Sequence, residues 1–153
     1  MAPVIDNIVK KYKLITILVM SFMYIFIGVK HFADPQYFVN ITPPQIQHKI
    51  LVVYFTGVLE ILGGLLILNK KTRMIGAYTL IFLLIMVFPA NIYLYVSEVP
   101  QQLLGISKTD ALLRLPFQAP LIVIAYWHSK ENHPKWVVYF SAIIFLPTII
   151  YFL

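Results

Sequence analysis

Apolar residues gather in five runs, about 14–32, 49–68, 74–96, 111–128 and 136–153, and most of the Lys, Pro and Asn lie outside them. Each run approaches the ~20 residues that a helix needs to cross a hydrocarbon core. The pattern predicts an all-α chain with five transmembrane helices in a single domain, 1–153. The first run follows a basic start, as in a signal peptide, but no A-x-A-like cleavage site follows and Lys30 and His31 come next. It therefore reads as a retained span. Within it Ser21, Tyr24, Gly28 and His31 recur at three- and four-residue intervals and share the face expected to look inward.

The connecting stretches set the geometry. Ala33–His48 holds three prolines and reads as an extramembrane loop with a short interfacial helix after Pro43 and Pro44, because proline suits a first helical turn. Asn69–Arg73 is a tight basic turn that makes the second and third helices antiparallel neighbours. Ser97–Asp110 reads as a second loop on the far side. In the third span Pro89 frees a carbonyl one turn earlier, and Asn91 stands where it can compensate or bond to another helix. Pro116 and Pro120 interrupt the fourth span, where Arg114 and Gln118 lie four apart on one face. The last run contains Ser141 and Pro147 but no charge, and reads as packing or lipid contact.

Composition narrows the class. A chain that is 60% hydrophobic and 12% charged, with mean hydropathy +0.82, is a polytopic membrane protein rather than a soluble domain. Its net charge of +6 does not point to nucleic acid, because the basic residues flank the apolar runs. Lys10, Lys11, Lys13, Lys70, Lys71, Arg73, Lys130 and Lys135 fall on the amino-terminal side, against Lys30, Lys49, Lys108 and Arg114 opposite. That bias places the amino terminus in the cytoplasm and the carboxyl terminus across the cell (inner) membrane. The absence of cysteine excludes dithiol chemistry, thiolate-held metals and iron–sulfur clusters carried by the chain itself. His31, His48, His128 and His133 lack a metal-binding spacing such as H-E-x-x-H, and the last three lie in or beside loops, so no metal site is expected.

The chemistry concentrates at Glu60, in the middle of the second span with Gly57, Gly63 and Gly64 around it. A central acidic side chain costs upwards of roughly 2.5 kcal/mol, so the rest of the chain has to shield it, pair it or keep it neutral. Counting from the outer ends at ~1.5 Å per residue puts Glu60 roughly 15 Å deep, Gln118 roughly 10 Å, and Arg114 and Asn91 roughly 5 to 8 Å. Arg114 is the expected cationic partner of Glu60, with Lys30, His31 and Tyr24 closing the rim. Two readings stay open. In one, Arg114 snorkels, Asn91 caps the Pro89 kink and Glu60 is a protonated packing residue. In the other, His31, Glu60, Asn91, Arg114 and Gln118 line a ligand-sized cavity. Gly57 and Gly64, flanking Glu60, read as surfaces for close helix approach.

Four ordered stretches, GVKHFADPQYFVNITPP (28–44), GVLEILGGLLIL (57–68), FPANIYLY (88–95) and LRLPFQAPLIVIAYW (113–127), resemble the DoxX-like family of small bacterial membrane proteins. The resemblance implies an integral membrane four-helix bundle, with the fifth C-terminal transmembrane helix lying outside the common core. The family's recurrent polar positions fall here on His31, Pro35, Glu60, Asn91, Arg114 and Gln118. Some relatives are linked to quinone-coupled sulfur oxidation and another to a membrane oxidoreductase complex. The fold also resembles the bundle of vitamin K epoxide reductases, whose chemistry needs cysteines that this chain lacks.

The leading expectation is a membrane subunit that binds a quinone or similar amphipath and supports electron transfer with a membrane or soluble redox partner. Arg114, Asn91 or Gln118 would donate to a ligand carbonyl, while Glu60 would hold Arg114 or relay a proton. The alternative is a non-enzymatic factor that assembles or stabilises another membrane protein. A proton-coupled transporter would have to form a homo-oligomer, since no inverted repeat is present.

Overall fold

The computed structural model describes residues 2–152, with side chains from Asn7 to Tyr151. Among the described residues every regular element is helical: α1 (Ala2–Ala33), α2 (Pro35–Ile41), α3 (Lys49–Leu68), α4 (Arg73–Val96), α5 (Glu98–Leu104), α6 (Lys108–Ser129) and α7 (Lys135–Phe152). Three stretches are long and apolar enough to cross a membrane: Asn7–Ala33 of α1, α3 and α4. In α7 the stretch Lys135–Tyr151 is apolar but shorter. α6 has the length, but Lys108, Asp110, Arg114, Gln118 and His128 dilute its apolar character.

α1 lies against α3, α3 against α4, α4 against α6 and α6 against α7, which returns to touch α1. The shared core contains Met20, Ile67, Leu80, Leu83 and Ile124. α3 shows how the sequence sorts its faces. Val53, Thr56, Gly57, Glu60, Gly63, Gly64 and Ile67 turn inward at helical spacing, while Leu51, Phe55, Leu62 and Leu65 remain exposed. A helix apolar on both its packed and its open face suits a lipid surround, not water.

Glycine sets how closely α1 and α3 approach. A Cβ at Gly28 would meet the Gly57 carbonyl at 2.8 Å, and one at Gly57 would meet the His31 Cβ at 2.6 Å. Two turns deeper, Ser21 Oγ donates to the Gly64 carbonyl at 2.5 Å. Gly63 faces the opposite neighbour, Leu80 of α4. The tight turn after α3 is closed by Arg73, whose Nε and Nη2 donate to the carbonyls of Ile67 and Leu68 at 3.0 and 3.3 Å. These are among the acceptors that a helix end leaves without partners.

Several boundaries differ from those expected. The short helix near the first loop precedes Pro43 and Pro44 instead of following them: Pro35 opens α2, and the two later prolines fall in a turn where Ile46 N–H donates to the Pro43 carbonyl. Proline supplies no N–H, so an adjacent pair favours a turn over helix continuation. The second loop contains α5, too short for its periodicity to register. It ends at Gly105, whose φ of 64° only glycine adopts freely. α6 then starts three residues earlier than its apolar run, at a cap in which Ser107 Oγ accepts from Asp110 N–H at 3.1 Å and donates to the Asp110 carboxylate at 2.6 Å.

Candidate functional site

Helices α1, α3, α4 and α6 surround a cavity of about 520 Å³ that α2 roofs with Tyr37 and Phe38. Met23, Ile27, Leu84, Val87 and Leu121 give it apolar walls, and Tyr24, Lys30, Glu60, Asn91, Arg114 and Gln118 supply its polar groups. His31 lies behind Glu60 and lines a smaller adjoining cavity of about 150 Å³, which shares Phe38, Glu60, Val87 and Asn91 with the larger one. The sequence-predicted residues thus converge from four helices. Lys30 is the outermost, exposed and with Nζ 4.7 Å from the Phe26 ring.

The partner of Glu60 is His31, not Arg114: Nδ1 lies 3.0 Å from Oε2. The glycine seam is the reason. With His31 Cβ pressed against Gly57, the imidazole is delivered one turn from Glu60, whereas no α6 side chain forms an ion pair with it among the described residues. Nδ1 also lies 3.0 Å from the Ile27 carbonyl. That oxygen can only accept, so Nδ1 carries the proton and presents an N–H to both oxygens. The Glu60 contact has ion-pair distance but not hydrogen-bond alignment, and Oε2 has no hydrogen-bond partner. Phe38 stacks on the other side of the imidazole, with centroids 3.5 Å apart and planes at 19°.

Tyr24 is the second buried group without a partner. Its side chain is 3% exposed, yet no protein atom bonds its hydroxyl. Arg114 sits at the cavity margin within hydrogen-bonding reach of Tyr151 on α7. Tyr151 in turn donates to the Asp110 carbonyl at 2.7 Å, tying the end of α7 to the start of α6.

Asn91 and Gln118 form a relay. Gln118 Nε2 donates to the Leu84 carbonyl, next to the carbonyl that Pro89 leaves without its usual donor, and Asn91 Nδ2 donates to Gln118 Oε1 at 3.0 Å. Asn91 therefore bonds across to α6, and Gln118 serves the backbone near the proline. On the outer surface a groove of about 270 Å³ between α4 and α6 shares Leu84 and Gln118 with the cavity.

One buried polar group was missed from the sequence. His128 was expected in or beside a loop, but it is fully buried in the last turn of α6, with Nε2 2.9 Å from Thr16 Oγ1. Thr16 spends its own proton on the Lys13 carbonyl at 2.8 Å, so it accepts from Nε2–H and His128 Nδ1 faces the core without a partner. The spacing of Leu121, Ile124, Ala125 and His128 along one buried face was the available signal.

Fold and cavity together define an all-helical protein, with helices of membrane-spanning length and apolarity, built around an internal space with apolar walls and a few polar groups. The chain belongs to a family described as a domain of unknown function (DUF8561), which matches residues 20–129. That match runs from α1 to the end of α6 and includes every cavity residue named above. No curated protein and no solved structure matches the chain.

Proposed function

We propose that this is a multi-pass membrane protein that binds a small amphipathic molecule in the cavity beneath α2, with a quinone-type ring as the leading candidate. The carrying observation is a cavity of about 520 Å³ whose lining includes Tyr24, with a hydroxyl that bonds nothing in the protein, and Glu60, whose Oε2 has only the ion-pair contact with His31. A buried polar atom without a partner costs about 1 to 3 kcal/mol, and a polar ligand head would offset that cost. The volume lies within the range of small-molecule sites, and the mix of apolar walls with a few converging polar groups is typical of them.

In this reading α1, α3, α4 and α6 form a four-helix bundle of the DoxX-like type and α7 is a fifth span. The basic ends of α1, α4 and α7 lie in the cytoplasm and the cavity in the outer half of the membrane. Tyr24, Glu60 and Asn91 would hold the ligand head, and Arg114 would guard the mouth. A bound quinone would supply two-electron, two-proton carrier chemistry to a redox partner. The chain itself would bind and orient the ring and exclude water from it.

The Asn91–Gln118–Leu84 relay favours a second reading for part of the site, because those bonds are satisfied within the protein and serve the fold. An assembly factor would use the whole cluster in that way. To decide, the protein is purified in mild detergent and its extract analysed by mass spectrometry, beside Glu60→Gln and Tyr24→Phe. The expected result is a stoichiometric lipophilic molecule in the wild type, depleted in both variants. Empty preparations, with no quinone binding on addition, would overturn the ligand reading and leave the assembly role.

A further inference from the structure

We infer that the amphipath taken by this cavity carries an acidic group, a carboxylate or a phosphate, which Lys30 and Arg114 meet at the mouth while the apolar part fills the interior. The inference rests on the reading of the cavity as a ligand site, though not on the quinone-type ring, and adds the charge of the ligand.

The pairing of the charged groups carries it. Among the described residues the contact between His31 and Glu60 is the one ion pair, so neither Lys30 nor Arg114 has a carboxylate within ion-pairing distance. Both line the same cavity, Lys30 from the last turn of α1 and Arg114 from the second turn of α6. Two cations from different helices thus border one space without a counter-charge.

Arg114 is half-buried and lies roughly 9 Å along α6 from its first residue, and a guanidinium unpaired inside a bilayer is costly. It carries five N–H donors in a planar fork, so its contact with Tyr151 leaves donors over, in a geometry that matches carboxylate or phosphate oxygens. Lys30 adds a mobile point charge at the exposed rim, where its Nζ rests on the Phe26 ring and on no acid.

The two acids on the lining leave that charge standing. Glu60 has the His31 N–H against it, and Asp34, exposed at the rim, pairs with neither cation. Two cations therefore face one unpaired carboxylate. Inward of them, Met23, Ile27, Leu84, Val87 and Leu121 give apolar wall for a ring or a chain. A neutral ligand would leave both cations unanswered, and a cationic one would add to them.

The test titrates the full chain calorimetrically in zwitterionic lipid nanodiscs at mildly alkaline pH, against empty nanodiscs. The probes are para-decylbenzoate, its uncharged methyl ester and decyl phosphate. The benzoate, the phosphate or both are expected to bind at least about tenfold tighter than the ester, the usual size of hydrogen bonds between charged groups, and the tighter acid names the class. Lys30→Gln and Arg114→Gln should each reduce that ratio to about threefold or less, and Asp34→Asn should raise it. Lys108→Gln removes a positive charge from the start of α6, off the cavity lining, and should leave the ratio unchanged. Because Lys30 is exposed, its variant reads out even where Arg114→Gln fails to fold. An ester bound as tightly as the acids, or a loss in Lys108→Gln equal to that in Lys30→Gln, would overturn the inference and leave the ligand reading standing. So would failure of every probe to bind while the wild-type detergent extract still yields a lipophilic molecule. An empty extract as well would overturn both.

Discussion

His133 sits in the short connection between α6 and α7, beside the Tyr126 ring, with Lys13 and Lys130 near enough to act on its charge. Burial, reinforced by those two cations, holds its imidazole below the ordinary value of 6.5. The unfolded chain therefore binds this proton more readily than the folded one. The sign follows: His133 favours the fold while neutral, and this contribution is lost as pH falls below 6.5 and through the folded-state value. Thermal unfolding followed from pH 7.5 to 5 should show the wild type losing its midpoint faster than His133→Gln; parallel curves would refute the linkage. The same kind of local reasoning explains what the sequence could and could not say of the site. Tyr24, Glu60, Asn91, Arg114 and Gln118 were identifiable because polar groups inside apolar runs are costly. Their bonding was not, because it depends on which backbone carbonyl each amide or ring nitrogen meets.

The seam between α1 and α3 turns on Gly28, Gly57 and Gly64. Alanine gains up to about 1 kcal/mol over glycine inside a helix by propensity alone. At Gly57 the new methyl would lie 2.6 Å from His31 Cβ and 3.1 Å from the Gly28 carbonyl, neither of which is a flexible side-chain tip. Overpacking of that kind costs typically about 1 to 3 kcal/mol, so Gly57→Ala should be net destabilising. It should also move His31 off Glu60. A lowered thermal midpoint together with a shifted His31 imidazole resonance would bear this out, and an unchanged or raised midpoint would refute it. Here the sequence indicated which glycines allow close approach but not the consequence. Depth counting along separate helices placed Arg114 opposite Glu60, since it cannot see that two helices meeting at glycine bring a neighbouring turn into ion-pairing range. Short elements escaped for a different reason. α2 and α5 each have seven residues, fewer than periodicity needs to declare itself.

Across the molecule, charge and geometry agree on which ends belong together. Lys13 donates to the Lys130 carbonyl and lies close enough to Arg73 and Glu131 to feel both charges, so the basic ends of α1, α4 and the α6–α7 connection gather on one side. The proposed topology puts that side in the cytoplasm. Because the chain has no cysteine, single replacements at exposed Lys70 and Gln102 report orientation without background. Gln102→Cys should react with an impermeant maleimide on intact cells, and Lys70→Cys only after permeabilisation. The reverse pattern would invert the topology.

Leu84 and Gln118 line both the internal cavity and the groove between α4 and α6, where Ile85 and Phe88 are exposed. A molecule that reaches the proposed site past those two shared residues comes from solution in lipid instead of bulk water. Its governing concentration is then a mole fraction in the bilayer. On the proposed reading of the cavity as a ligand site, titrations of the same protein at different lipid-to-protein ratios should collapse onto one curve only when plotted against ligand per lipid; collapse against aqueous concentration would refute entry from the bilayer.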